Sequence, residues 1–177
     1  MNELFDDKQL YPLLFQNDFS KIKIFLDKYG LNSVDRDGRN FLTNSIAEHK
    51  NSFAKKLIEL GADINQLDND GSPPLFTAIR VKNTEMIKEL LRDPVLDKNI
   101  QNRYGKNAIS IALQAHPKDN ELMIFLIDAG IDPFAEDKNG KSSYSLMKKY
   151  ESGEITKGGN KLNIKPVIQR IDEIYNI

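Results

Sequence analysis

The sequence predicts an all-α solenoid of stacked helix-turn-helix units, and three observations lead to it. Four polar, glycine-centred stretches recur: "DRDGRNFLTNSI" from Asp35, "DNDGSPPLFTAI" from Asp68, "NRYGKNAISIAL" from Asn102 and "DKNGKSSYSLMK" from Asp137. Their glycines, Gly38, Gly71, Gly105 and Gly140, lie 33, 34 and 35 residues apart. Behind the first three stands a second block, "FAKKLIELGADIN", "MIKELLRDPVLDKN" and "LMIFLIDAGIDP". In each, two adjacent apolar residues are followed four and five positions later by two more: Phe53/Ala54 with Leu57/Ile58, Met86/Ile87 with Leu90/Leu91, Leu122/Met123 with Leu126/Ile127. That spacing is the apolar stripe of a helix. A helix pair of this size cannot bury its own apolar face, so neighbouring pairs must stack.

In chain order, residues 8–34 read as an N-terminal capping helix pair without the polar turn, with Ile22, Phe25 and Leu26 on the stripe and Gly30 as the stop. Residues 35–67, 68–101 and 102–136 are full repeats: a polar turn, a short helix opening after the glycine, a striped second helix and a stop. The stops are Gly61 and Gly130, and Pro94 serves in the middle copy because proline cannot continue a helix. Pro73 and Pro74 fall where proline is tolerated, at a helix start. Residues 137–150 form a partial last repeat. Residues 151–163, "ESGEITKGGNKLN", form an irregular loop, a feature usually either functional or mobile. From 164 to 177 a C-terminal capping helix carries Ile164, Val167, Ile168, Ile171, Ile174 and Tyr175 on one face. The whole of 1–177 reads as a single domain.

Composition narrows the function. With 40% hydrophobic and 29% charged residues the chain has a globular make-up, and its net charge of -1 lacks the basic excess of a general nucleic-acid binder. The absence of cysteine removes disulfides, thiolate nucleophiles and sulfur-ligated zinc. The acidic start "MNELFDDKQLYPLLF" has no basic leader region, and no run approaches the roughly 18 apolar residues of a membrane span. A cytoplasmic protein without membrane contact is expected, with leaderless secretion still open.

The glycine loops fail as calcium sites, which need a closing bidentate Glu at loop position 12. Registering Gly38, Gly71 or Gly140 at position 6 puts Asn44, Thr77 or Leu146 there. The loops read instead as β-turns whose glycine takes positive φ and whose Asp bonds nearby backbone. "GKSS" at Gly140–Ser143 imitates the end of a phosphate loop, but Ala135 stands where its first glycine belongs and no strand precedes it. His49 and His116 lie in different repeats, outside any triad or metal-ligand spacing, and read as helix-end or loop residues. No catalytic residue, metal site, cofactor or small-molecule substrate is expected.

The turn, the first-helix pattern of "DNDGSPPLFTAI" and the second-helix pattern of "LIELGADIN" resemble the ankyrin repeat over roughly residues 8 to 150. The histidine usual in the first helix is replaced by Thr43, Phe76, Ser110 and Ser145, so the polar network between repeats must be remade or absent. "LQAHPKDNELM" carries about two extra residues between its helices. The resemblance implies a non-catalytic module that binds another protein through turn tips and the exposed side of each first helix. Those positions are Arg36, Asp37, Arg39 and Glu48; Asn69, Asp70, Ser72 and Arg80; Arg103, Tyr104, Lys106 and Gln114; and Lys138, Asn139, Lys141, Lys149 and Tyr150. The later ones are basic with two aromatics, while Glu59, Glu85, Glu89 and Asp128 fall on second helices, so the expected partner surface is acidic. Arg103 and Tyr104 are expected at its centre. By the same resemblance the chain is either a bacterial immunity protein that neutralises a cognate toxin or a secreted effector engaging host proteins. A polyanion binder using the basic end is a third possibility.

Overall fold

The computed structural model of the protein describes residues 7–16, 18–159 and 161–177, and their side chains except at 7–11 and 19. Position 17 of the expected capping pair and position 160 of the expected loop lie outside the described residues. The helices open where the sequence supplies an acceptor for their free N–H groups. Asp18 caps α2 (Phe19–Tyr29), Asn40 caps α3 (Phe41–Ala47), Asn83 caps α6 (Thr84–Arg92), Asn107 caps α7 (Ala108–Ala115), Asp119 caps α8 (Asn120–Asp128) and Ser142 caps α9 (Ser143–Ser152). A proline at the first helical position starts α5 (Pro74–Arg80) instead. The remaining helices are α1 (Asp7–Gln16), α4 (Asn51–Glu59) and α10 (Lys165–Tyr175). Among the described residues extended pairing is limited to isolated bridges at Val34–Asn40 and Glu136–Ser142, each closing a turn.

The residues cluster into two compact units, Met1–Asp97 and Lys98–Ile177. In the first, α3 packs on α4 and α5, α5 on α6, and α4 on α6, so first helices stack on first helices and second on second. Phe41, Leu42, Ile46, Leu57, Leu75, Phe76, Ile79, Met86 and Ile87 are buried there, as are the capping stripe residues Ile22, Phe25 and Leu26. In the second unit α7 packs on α8 and α9, and α10 packs on both α8 and α9. The C-terminal cap therefore takes the place of the second helix missing from the fourth repeat. Its Ile164, Val167, Ile168 and Ile171 join Met123, Leu126, Ile127 and Met147 in the core.

Three expectations are corrected. Helix α9 continues to Ser152 and ends at Gly153 with φ 81, so the loop opens two residues later than expected. A left-handed glycine is a standard helix end, and nothing in "KKYES" breaks the helix earlier. Second, Ile174 and Tyr175 remain 40% exposed. They sit in the last turn of α10, where the Tyr175 ring meets the Phe134 ring edge-on at 4.9 Å rather than entering the core. Third, the two extra residues of the third repeat are divided. Helix α7 has 8 residues where α3 and α5 have 7, and the link after it spans 116–119 rather than the three positions 48–50 and 81–83. The short links turn by forcing His49 to φ 53 and Lys82 to φ 54, a left-handed conformation costly for non-glycine residues. His116, in the longer link, sits at φ -133.

Candidate protein-binding surface

Each polar turn is built the same way from its own residues. Asp35 Oδ1 accepts from the N–H groups of Asp37 (2.9 Å) and Arg39 (2.8 Å), and Asp68 Oδ1 from those of Asp70 and Ser72 (2.8 Å each). Asn102 Oδ1 holds Tyr104 and Lys106, and Asp137 Oδ1 holds Asn139 and Lys141. The acidic oxygens that suggested a cation loop are thus turned inward onto backbone. Among the described residues no group of three or more His, Asp or Glu side chains converges as a cation site. The glycines take φ between 68 and 79, as expected.

Within each unit one turn seats on the next. Asn69 N–H donates to Asp37 O at 2.9 Å and Asn69 Nδ2 to Arg36 O at 2.9 Å. In the second unit Lys138 N–H donates to Tyr104 O at 3.1 Å, and Gln101 Nε2 bridges Gly105 O and Glu136 O at 2.6 and 2.9 Å. Where the histidines are missing, the cap asparagines bond within their own repeats and serine hydroxyls supply a link between repeats. Asn40 Nδ2 reaches Asp63 O at 3.0 Å, Asn107 Nδ2 reaches Asp132 O at 2.6 Å, and the hydroxyls of Ser110 and Ser143 join α7 to α9 at 2.8 Å. Phe76 fills the corresponding position of the second repeat with an apolar side chain, fully in the core.

On this scaffold the expected surface residues divide. In the first unit Arg36, Asp37, Asn69 and Arg80 are exposed, and Asp70 is half-buried. Arg39 is committed within its own turn, to Asp35 at 3.1 Å and Asp37 at 2.6 Å. Ser72 is a correction: it is 1% exposed, because its hydroxyl lies beneath Arg80, whose Nη2 donates to it at 3.0 Å. Glu48 is another. The helix caps put Arg80, Gln114 and Lys149 seven residues after Pro73, Asn107 and Ser142, and seven residues after Asn40 is Ala47. Glu48 therefore stands one position later, in the register of Tyr150.

In the second unit Arg103, Tyr104, Gln114, Lys138, Asn139, Lys141 and Lys149 are exposed, and Lys106 and Tyr150 are half-buried. Tyr104 is 51% exposed, with the Arg103 guanidinium 5.2 Å from its ring centroid. Lys106 Nζ donates to Gln114 Oε1 at 3.0 Å, and Lys149 pairs with Glu154 at 2.8 Å. Sequence reasoning missed Glu154 and Lys157, whose ammonium donates to the Gln114 carbonyl. Nothing in the residue spacing signals that bond across 43 positions. The acids of the second helices are used to join neighbours: Glu85 with Lys55 at 2.7 Å and Asp128 with Arg170 at 2.7 Å. Hydrogen bonds from Lys55 and then Asn51 hold the Glu85 carboxyl below the ordinary range.

One turn carboxylate yields a pH prediction. Burial opposes the charge on Asp137, but the N–H groups of Asn139 and Lys141 outweigh it and hold the carboxyl below the ordinary carboxylate range. A carboxyl depressed in the folded state stabilises fully above its unfolded pKa of about 3.9, and that contribution is lost as pH falls through the folded value. Urea melts of the native protein should weaken against those of Asp137→Asn only below about pH 4. Asn102 already performs this role in the third repeat, so the variant should fold. An unchanged difference between pH 6 and the acid limb would refute the assignment.

A family model described as Ankyrin repeats (3 copies) matches residues 42–137. An ankyrin repeat-containing protein of Treponema pallidum (strain Nichols) is 30% identical over 130 residues, covering 72% of this chain and 42% of that protein. Tyrosine-protein kinase HTK16 of Hydra vulgaris is 30% identical over 73 residues, 41% of this chain and 10% of the kinase. Neurogenic locus notch homolog protein 1 of Danio rerio is 29% identical over 112 residues, 63% of this chain and 4% of that protein. The chain spans about two-fifths or less of the length of these curated relatives. No helix among the described residues is long and apolar enough to cross a membrane. With the repeated turns, the stacked helix pairs and the match over 42–137 together, the chain belongs to the ankyrin repeat family, whose repeats are protein–protein interaction modules.

Proposed function

We propose that the chain acts as a single, non-catalytic ankyrin domain that binds an acidic surface of a partner protein, with the Arg103–Tyr104 turn as the anchor of the contact. The observation that carries this is the build of that turn. Its backbone is fixed by Asn102 and by the next turn, while the two largest side chains at its tip project outward, the guanidinium over the ring. Tyr and Arg are favoured interface anchors because a large contact area comes with directional polar groups. The turn and first-helix positions of this unit carry Lys106, Lys138, Lys141 and Lys149, which suits an acidic partner.

Two finer roles follow from the resemblance to bacterial ankyrin proteins: masking a cognate toxin in the cytoplasm, as an immunity protein does, or engaging host proteins after secretion. A polyanion partner is the less favoured reading, since the net charge of -1 gives little counterion release. The test is a tagged pulldown from the native organism at moderate and high salt, beside Arg103→Ala/Tyr104→Ala. One stoichiometric protein lost in the double variant is the expected result, with affinity down about ten-fold or more. A toxin there supports the immunity role. Recovery of salt-sensitive nucleic acid alone, or a protein held equally by the variant, would overturn the reading.

A further inference from the structure

The two segments in which this chain departs from the repeat pattern meet in space. The insert between α9 and α10 leaves Ser152, passes the end of α7 where Lys157 bonds the Gln114 carbonyl, and reaches the start of α8 where Asn120 Nδ2 donates to Asn163 O at 2.9 Å. It thus runs beside the lengthened α7–α8 link. On the way, Glu154 settles on Lys149, the first-helix cation of the fourth repeat, at 2.8 Å. Ile155 N–H closes back onto Lys149 O at 3.2 Å.

We infer that residues 153–159 form the lower wall of the partner site in the second unit, and that the occupant is an extended acidic segment of the partner protein lying along α9. This rests on the protein-binding reading above and adds where the partner lies. Three cations come in turn: Lys141 just before α9, Lys149 in its last turn, and Lys157 in the insert, bonded at the end of α7. Helix α9 has 10 residues, so it is about 15 Å long. About five residues of extended chain, at about 3.3 Å each, span that length. Glu154 is then an internal stand-in for the partner: it covers Lys149 with the carboxylate that the occupant would supply. The pair is about half exposed on both sides, so a partner carboxylate displaces it readily.

The test uses fluorescence anisotropy with a short labelled peptide of alternating Glu and Ser, beside an oligothymidylate of equal charge. Glu154→Gln should tighten peptide binding about two- to five-fold by freeing Lys149. Lys157→Glu should weaken it about five-fold or more, while Lys165→Glu on α10 should leave it unchanged. Equal losses for Lys157→Glu and Lys165→Glu would reduce the effect to net charge and overturn the inference. If neither insert variant matters but Arg103→Ala/Tyr104→Ala weakens binding, the insert is excluded and the turn reading stands. If the insert variants matter and the turn variant does not, the turn reading falls instead. Binding of the oligothymidylate alone, or of neither probe, overturns the acidic-segment occupant.

Discussion

Gly105→Ala is expected to destabilise the protein by about 3 kcal/mol, a large part of the 5–15 kcal/mol typical of a folded domain. Two effects add. At φ 77 the backbone is left-handed, which an alanine adopts at a penalty of about 1 kcal/mol or more. A Cβ at this position would also lie 2.8 Å from Lys138 N and 2.9 Å from Asp137 Cα. Both are backbone atoms of the following turn, so relief requires pushing that turn away and losing the Lys138 N–H to Tyr104 O bond. Gly130→Ala separates the two effects. Its φ is 88 but nothing lies within 4 Å of a Cβ there, so it should show the conformational penalty alone. Circular dichroism in urea should place the Gly105→Ala midpoint well below that of Gly130→Ala. Equal midpoints would mean that the following turn accommodates a Cβ at Gly105 without loss.

Asn40→Ala should destabilise by about 2–3 kcal/mol. Asn40 is fully buried, accepts from Thr43 N–H and Thr43 Oγ1 at 2.9 Å each, and donates to Asp63 O at 3.0 Å. Alanine removes the cap of α3, worth about 1 kcal/mol, and leaves the Thr43 hydroxyl without its acceptor in a site closed to water. Asn40→Ser divides the sum. Serine can cap α3, as Ser142 caps α9, but is too short to reach the Asp63 carbonyl. Its loss in urea melts should be about half that of alanine. If serine and alanine are equally damaging, the cap is not what Asn40 contributes, and the bond to the Asp63 carbonyl in the loop after α4 is.

These two sites show how the sequence could be read. The glycine period, the Asp or Asn three residues before each glycine and the polar residue two after it in three of the four copies all act within a few bonds of one another. Turn geometry, left-handed φ and helix caps are therefore legible without a partner. The same holds for the apolar stripes, because 3.6 residues per turn translate spacing directly into a face. Exposure at the candidate positions was legible where they are part of a turn, as at Arg103, Tyr104, Lys138 and Asn139. It was misread where a side chain's surroundings come from elsewhere. Ser72 looks like any turn serine, yet an arginine 8 residues on closes over it. Glu48 stands eight residues after its helix cap, and a count of seven leads to Ala47.

What the sequence determined by itself is the repeat: helix pairs, capped turns and a stack that must bury its stripes. Only the tertiary structure decided that α10 substitutes for the absent second helix of the last repeat, and that the insert before it ties the end of α7 to the start of α8. It also decided that Glu154 and Lys157 border the first-helix face. The physical reason is range. Backbone sterics and helical periodicity act locally and leave a mark in neighbouring residues, whereas the path of an insert depends on which distant carbonyls and cations lie within hydrogen-bond reach once the helices have packed.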